Sequence, residues 1–229
     1  MKTSKVAGLL LAAGQGARLG TPKALVEFEG ERLVDRGVRL LEEGGCHPVV
    51  VVLGAATVQV RGAVTVRNPG WASGMGSSLR IGLGALPDEA ESVVVALVDQ
   101  PLIRPGAVRA LIGAGAGLAV ATYAGRRRNP VLIARAHFAE VAELAVGDVG
   151  ARPFMKAHPE LVTEVPCDEH GDPADIDTPD DLHRLAGPVR ARRLRRSEAT
   201  PARGAVRPRP PCGRCRSRAP RPPWSPSSP

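Results

Sequence analysis

A chain of 229 residues is long enough to bury the core of one ordinary domain, and nothing in its length requires a second. The formal net charge of +8 is uneven: residues 188–229 hold twelve Arg and one acid, a net +11, which leaves −3 for residues 1–187. This excludes a strongly basic folded domain, so we do not expect nucleic acid as the main partner.

The chain divides at residue 188. Residues 188–229 contain ten Pro and few large apolar side chains, so we expect a disordered Arg/Pro-rich tail after a folded domain at 1–187. An adventitious tail, such as an alternate-frame translation of GC-rich DNA, is favoured over a nucleic-acid arm. Cys212 and Cys215 form one CxxC there with no second pair, which argues against zinc. With no apolar leader and no run near about 18 apolar residues, we expect a cytoplasmic protein without a membrane span.

The first element is the apolar run 6–13, typical of a strand buried on both faces of a parallel sheet. Gly14 and Gly16 follow it and let the backbone bring its amides against a ligand. Arg18 and Lys23 add two cations close by. The stretch predicts a site for a polyphosphate.

Two other phosphate loops fit this stretch less well. A P-loop requires Lys directly after Gly and then Ser or Thr, whereas Gly20 is followed by Thr, Pro and only then Lys23. A dinucleotide-binding loop requires an acid at the end of the next strand, but the run 48–53 ends in Gly54. The remaining interpretation is a longer loop that binds a nucleoside triphosphate.

A helix over 33–43, strands at 48–53 and 64–66, and a Gly-rich loop at 71–76 are predicted next. A helix from Ser77 and Ser78 to about residue 86 follows, and its first amides are expected to be free for an anion. Either serine can cap this helix; alternatively, the loop closes over the nucleotide or the second substrate.

A second buried strand over 92–98 ends in Asp99. Open α/β sheets bind ligands at the carboxyl ends of their strands, so Asp99 is the first candidate for a Mg²⁺ ligand. The alternative is that Asp99 caps the helix predicted over 105–112.

The rest of the chain predicts a hairpin over 118–134 with arginines at its tip, which form either a solvated turn or a phosphate contact. His137, on the helix that follows, is expected to be structural. Asp148 either orients the acceptor, acts as a base, or caps a short helix. Thr178 and Asp181 fit a capping box before a last helix, which leaves Asp177 as a second metal candidate.

Six motifs resemble, in the same order, nucleotidyltransferases related to the molybdenum cofactor enzymes. They are LAAGQGARLGTPKAL (11–25), NPGWASGMGSSLRIGL (68–83), VALVDQPLI (95–103), RNPVLI (128–133), GDVGAR (147–152) and DIDTPDDL (175–182). The resemblance implies an α/β, three-layer Rossmann-like fold of the GT-A type, with a mostly parallel sheet and helices on both faces. It also implies an enzyme that moves an NMP from an NTP to a phosphorylated acceptor.

The same resemblance suggests roles for single residues. Lys23, Arg18 and Asp99 are the expected catalytic residues, and Asp99 with Asp177 the expected Mg²⁺ ligands. The acceptor is expected to contact Asn129 and Asp148. The expected nucleotide-binding residues are Leu11, Ala12, Ala13, Gly14, Gly16, Arg18, Lys23, Gly74 and Ser77.

The sequence Leu-Ala-Ala-Gly resembles the cytidylyl branch of the family, whereas guanylyl-transferring relatives carry Leu-Ala-Gly-Gly. This predicts CTP as the nucleotide and molybdopterin as the acceptor, with a molybdoenzyme or its chaperone as a candidate protein partner. GTP, ATP or another small phosphorylated acceptor are the alternatives within the class. An NAD(P)-binding Rossmann oxidoreductase is the alternative from another class.

Overall fold

A seven-stranded, mostly parallel sheet forms the centre of residues 5–187, the part that the computed structural model describes. The nine strands are β1 (Val6–Ala12), β2 (Glu27–Phe28), β3 (Glu31–Arg32), β4 (Val49–Leu53), β5 (Ala63–Arg67), β6 (Ser92–Leu97), β7 (Leu118–Tyr123), β8 (Arg126–Ala134) and β9 (Thr163–Pro166). β2 and β3 pair only with each other. The other seven have the order β5-β4-β1-β6-β8-β7-β9. Predictions made for residues 188–229, including Cys212 and Cys215, lie outside the described residues.

Helices cover both faces of this sheet. They are α1 (Leu33–Glu43), α2 (Met75–Gly84), α3 (Pro105–Gly113), α4 (Phe138–Leu144), α5 (Arg152–Ala157) and α6 (179–187). Buried side chains of α1, α3 and α6 pack on one face, and those of α2, α4 and α5 pack on the other. The predicted three-layer α/β architecture is confirmed. In the described part of the chain, no helix has the length and apolar character needed to cross a membrane.

The central position of β1 in the sheet explains why its sequence is apolar throughout. Leu10 and Ala12 belong to the core on the α1 side, whereas Leu9 and Leu11 belong to the core on the α2 side. Successive side chains of a strand point to opposite faces, and both faces of β1 are covered, so every position after the half-buried Val6 is buried.

The strand directions bring the predicted site segments to one edge of the sheet. β1 is parallel to β4 and β6, with Leu11 opposite Leu97, so the loop after β1 and Asp99 leave the sheet at the same edge. β8 runs antiparallel to β6, so Asn129, near the start of β8, lies toward that edge as well.

Two local predictions were wrong. Helix α2 begins at Met75 with Gly74 as its N-cap and without a side-chain cap, so neither Ser77 nor Ser78 caps it. The three arginines are not the hairpin tip, because β8 already begins at Arg126. Arg127 donates to Glu164 on β9, at 2.7 Å between Nε and Oε1, which is a pairing across the sheet.

Candidate active site

Lys23 joins the two predicted metal ligands. Its Nζ lies 2.5 Å from Oδ2 of Asp99 and 2.7 Å from Oδ1 of Asp177. The lysine begins a short 3₁₀ turn after Pro22, and its amide donates to the carbonyl of Gly14 at 3.2 Å. That bond returns the loop to the end of β1 and directs Lys23 to the carboxyl edge of the sheet.

The ion pairs of Lys23 are shielded from water. The side chains of Lys23 and Asp99 are 16% and 18% exposed. Burial by itself would lower the pKa of Lys23, but the charge of Asp99 and the hydrogen bonds to Asp177 and Asp99 outweigh it and raise this pKa. Lys23 is therefore an ammonium at neutral pH, available to a phosphate.

Asp99 keeps one oxygen free of hydrogen bonds. Its Oδ1 is buried and has no hydrogen-bond partner among residues 5–187, and an unpaired buried carboxylate oxygen is costly unless a ligand satisfies it. The alternative that Asp99 caps helix α3 was wrong, because the N-cap of α3 is Arg104.

Asp177 is held beside Asp99 by the segment that precedes helix α6. The amide of Ile176 donates to the carbonyl of Asp99 at 2.8 Å, and Gln100 Nε2 donates to Oδ1 of Asp175 at 2.9 Å. Burial raises the pKa of Asp175, and the charge of Asp99 adds to the rise. The capping box is confirmed, since Oδ2 of Asp181 accepts from the amide and the hydroxyl of Thr178.

Arg18 lies at the outer side of this cluster. Its guanidinium Nη2 is 3.5 Å from Oδ2 of Asp177, and its side chain is 71% exposed. Gly16, two residues earlier, has φ +60°, and a Cβ there would lie 2.3 Å from the carbonyl oxygen of Thr21. Only glycine fits this turn, which presents Arg18 and returns to Lys23.

A cavity of about 330 Å³ opens beside Lys23 on the α2 side of the sheet. Among the predicted site residues, those that line it are Leu11, Ala13, Gly14, Lys23, Gly74, Asp99 and Asp148. Those outside its lining are Ala12, Gly16, Arg18, Ser77, Asn129 and Asp177. Ala12 is excluded because its side chain points to the opposite face of β1.

Asn68 and Ser78 contribute to the site, although the sequence analysis assigned neither of them to nucleotide binding. Asn68 is fully buried and its Nδ2 donates to the hydroxyls of Ser77 and Ser78, at 2.8 and 3.0 Å. Ser77 hydrogen-bonds inward, to the carbonyl of Gly74, whereas Ser78 lines the cavity. The sequence signal is Asn68 before Pro69 at the end of a strand, a pattern that by itself indicates only a break in regular structure.

The first amides of α2 are not free, contrary to the prediction. Met75 donates to Oδ1 of Asp148 at 3.3 Å, and Gly76 donates to the carbonyl of Gly147 at 2.9 Å. Asp148 does not cap helix α5 either, whose N-cap is Ala151. The loop around Asp148 therefore satisfies the first amides at the N-terminus of α2 and forms part of the cavity wall.

The carboxylates suit a divalent cation that is shared with a bound phosphate. Within residues 5–187, no group of three or more His, Cys, Asp and Glu side chains could hold a metal ion by itself. Asp99 and Asp177 bring two carboxylates together, and Asp99 adds an unpaired oxygen. Mg²⁺ is commonly held by one or two carboxylates together with substrate phosphates and water, so the donor set fits.

Comparison with known proteins identifies the family. A model described as a MobA-like NTP transferase domain matches residues 8–162. The chain belongs to this family. The MobA-like assignment confirms the resemblance found in the motifs, and it makes this protein a nucleotidyltransferase by family.

Individual relatives of this MobA-like protein carry different names. Nicotine blue oxidoreductase of Paenarthrobacter nicotinovorans is 38% identical over 196 residues, 79% of this chain and 96% of that protein. The homologue of Mycobacterium tuberculosis rv0371c from Mycobacterium sp. strain JC1 is 33% identical with a TM-score of 0.71, over 82% of this chain and 98% of that one. Rv0371c of M. tuberculosis H37Rv, solved as a complex with manganese, is 26% identical with a TM-score of 0.65, over 79% and 97%. These structures confirm the predicted fold.

Proposed function

We propose that this MobA-like protein transfers CMP from CTP to a phosphate of a molybdopterin-type acceptor, with residues 1–187 as the transferase domain. The observation that carries the proposal is the contact of Lys23 with both Asp99 and Asp177 beside the cavity at the end of β1. A cation, two carboxylates and a glycine-rich turn at one sheet edge are the groups that triphosphate chemistry requires.

In the reaction, a phosphate oxygen of the acceptor forms a new P–O bond to the α-phosphorus of CTP. The bond from that phosphorus to the oxygen bridging to the β-phosphate breaks, and its electron pair leaves with pyrophosphate. A phosphate nucleophile is already ionised at neutral pH, so no strong general base is required. Catalysis then rests on positioning and charge neutralisation.

Lys23 and Arg18 neutralise charge on the triphosphate and on the departing pyrophosphate. The amides of Gly14 and Gly16 orient the phosphates at the end of β1. Asp99 and Asp177 would hold Mg²⁺, which would supply Lewis-acid polarisation of the phosphate oxygens. The manganese complex of Rv0371c supports a divalent cation in this fold.

The base and the acceptor occupy the remaining cavity. Leu11 and Ala13 line it beside the loop. We expect the methyl of Ala13 to narrow the space next to the base, which would favour a pyrimidine over a larger purine. Ser78 adds a hydroxyl to the wall. Asp148, which lines the cavity at the start of α2, and Asn129, which lies near the start of β8 outside that lining, are assigned to the acceptor. A molybdoenzyme or its chaperone would then receive the product.

A second candidate follows from one comparison. The relative named nicotine blue oxidoreductase matches most of this chain, which favours the alternative from another class, an NAD(P)-binding oxidoreductase. The sequence at the end of β4 argues against this candidate. β4 ends at Leu53 and is followed by Gly54, so the position where a dinucleotide-binding fold has an acid to bind the ribose has none. The Lys23–Asp99–Asp177 contact also has no role in hydride transfer.

One assay separates the two candidates. Pyrophosphate release is measured with CTP, GTP, ATP or UTP, with and without Mg²⁺ and molybdopterin. In parallel, oxidation of NADH and NADPH is followed with nicotine blue as the electron acceptor. We expect Mg²⁺-dependent pyrophosphate release that requires the pterin and is fastest with CTP. Preference for another NTP would change the base assignment, and NAD(P)H oxidation without pyrophosphate would refute the transferase.

A further inference from the structure

The position between Asp99 and Asp177 is occupied by a charge of the protein itself. Each carboxylate gives one oxygen to the same ammonium nitrogen of Lys23, at 2.5 and 2.7 Å. Lys23 and Asp99 are more than four-fifths buried, so water screens charges there poorly. A divalent cation entering this position would meet the positive charge of Lys23 at short range.

We propose that Lys23 acts as an internal substitute for the cation, so that the metal enters only together with the triphosphate. The inference rests on the proposed function, because it takes Asp99 and Asp177 as the metal ligands. Its new content is the order of binding. Without a nucleotide, Lys23 keeps the metal out of the site, and the metal binds only when the phosphates of the nucleotide bind.

The chemistry of lysine permits this exchange. The ammonium is a single charge on a flexible four-carbon stem, so it can turn from two carboxylates to a phosphate without moving the backbone. The triphosphate offers a new anionic partner to Lys23, and the two released carboxylate oxygens then face the cation. Oδ1 of Asp99, already unpaired, adds a third oxygen.

Binding of Mn²⁺ to the full-length protein, measured by electron paramagnetic resonance of the free ion, tests the proposal. The wild type and Lys23→Met are titrated with Mn²⁺ alone and with tripolyphosphate, which supplies phosphates without a base. We expect Lys23→Met to bind Mn²⁺ alone roughly tenfold or more tightly than the wild type, because a repelling charge is gone. Tripolyphosphate should tighten Mn²⁺ binding to the wild type far more than to the variant, after correction for Mn²⁺ held by tripolyphosphate in solution.

Two variants locate the effect. Lys5→Met removes another lysine that pairs with an acid, Glu91, in an exposed ion pair outside the cavity, and should bind Mn²⁺ as the wild type does. Adding Asp99→Asn to Lys23→Met should remove the gained site. Equal Mn²⁺ affinity of wild type and Lys23→Met, or a gain that survives Asp99→Asn, would overturn the proposal.

If circular dichroism shows that Lys23→Met does not fold, the Mn²⁺ titrations of the wild type test the proposal alone. A wild-type Mn²⁺ affinity that does not change with tripolyphosphate would then contradict it. None of these titrations uses CTP, a pterin or turnover, so their outcome is separate from that of the pyrophosphate assay. A protein that transfers CMP but shows no exclusion of Mn²⁺ by Lys23 refutes the binding order alone.

Discussion

At the scale of single residues, the account depends on the charge of Asp99. Its Oδ2 contacts Lys23, and its Oδ1 is buried without a hydrogen-bond partner in the described part of the chain, so the carboxylate is positioned for a ligand more than for the fold. Lys23 keeps Asp177 as a partner when Asp99 becomes neutral. Removing the charge should therefore affect catalysis much more than stability.

We predict that Asp99→Asn lowers kcat for pyrophosphate release by roughly 10²-fold or more, a typical cost of losing one group that stabilises transition-state charge. Asp88→Asn is the control, because the Asp88 side chain is fully exposed and lies 4.0 Å from Arg135 outside the cavity. Steady-state kinetics and thermal unfolding of both variants provide the test. Unchanged kcat in Asp99→Asn would refute the role of this carboxylate.

Sequence reasoning singled out Lys23, Asp99 and Asp177 because each lies at a recognisable boundary: after a glycine turn, after a buried strand, or directly before a helix cap. It could not find the inward role of Ser77, which depends on Asn68 approaching from the end of another strand. The spacing of residues along one segment carries no information about a hydrogen-bond partner from a distant segment that only the tertiary fold brings close.

At the scale of elements, helix α2 and the loop before α5 form the wall of the cavity. Gly74 has φ +109°, and a Cβ there would lie 2.4 Å from the backbone C and O of Gly147. The helix therefore begins where the backbone of Gly74 packs directly against the backbone of Gly147. The loop that carries Asp148 is held in place by this contact and by the amides of Met75 and Gly76.

We predict that Gly74→Ala lowers the free energy of unfolding by about 1–3 kcal/mol from backbone strain, with a further loss from the contact with Gly147. The KM for the nucleotide should rise as the wall shifts. The matched control is Gly84→Ala at the other end of α2, where a Cβ meets no atom within 4 Å. Chemical denaturation should show Gly84→Ala at or slightly above wild type. Equal loss in both variants would contradict the special role of Gly74.

Elements with long apolar patterns were predictable, and their contacts were not. The strand at 6–13 and the helix at 33–43 appear within a residue or two of their expected bounds. The start of α2 was misplaced because Ser77 and Ser78 are good caps in isolation. The helix instead begins at Met75 with Gly74 as its N-cap, a position that the close packing of Gly74 on Gly147 explains. A cap supplied by a distant loop leaves no local signal.

At the scale of the whole molecule, the parallel order of β4, β1 and β6 produces the site. Their carboxyl ends meet at one edge, so a lysine from the first loop reaches an acid after β6 and another before α6. The mostly parallel sheet was predictable because buried strands alternate with helices. The antiparallel β8 and the late segment 173–178 complete this edge through long-range contacts.

The central claim is that one triphosphate pocket is shared by Lys23, Asp99 and Asp177. A crystal structure with Mn²⁺ and a non-cleavable CTP analogue tests it most directly, because anomalous scattering locates the ion. We predict one Mn²⁺ in contact with both Asp99 and Asp177, the analogue's phosphates on the ion, and the Lys23 ammonium moved onto a phosphate oxygen. A triphosphate bound elsewhere, with Lys23 still between the two carboxylates, would contradict the account.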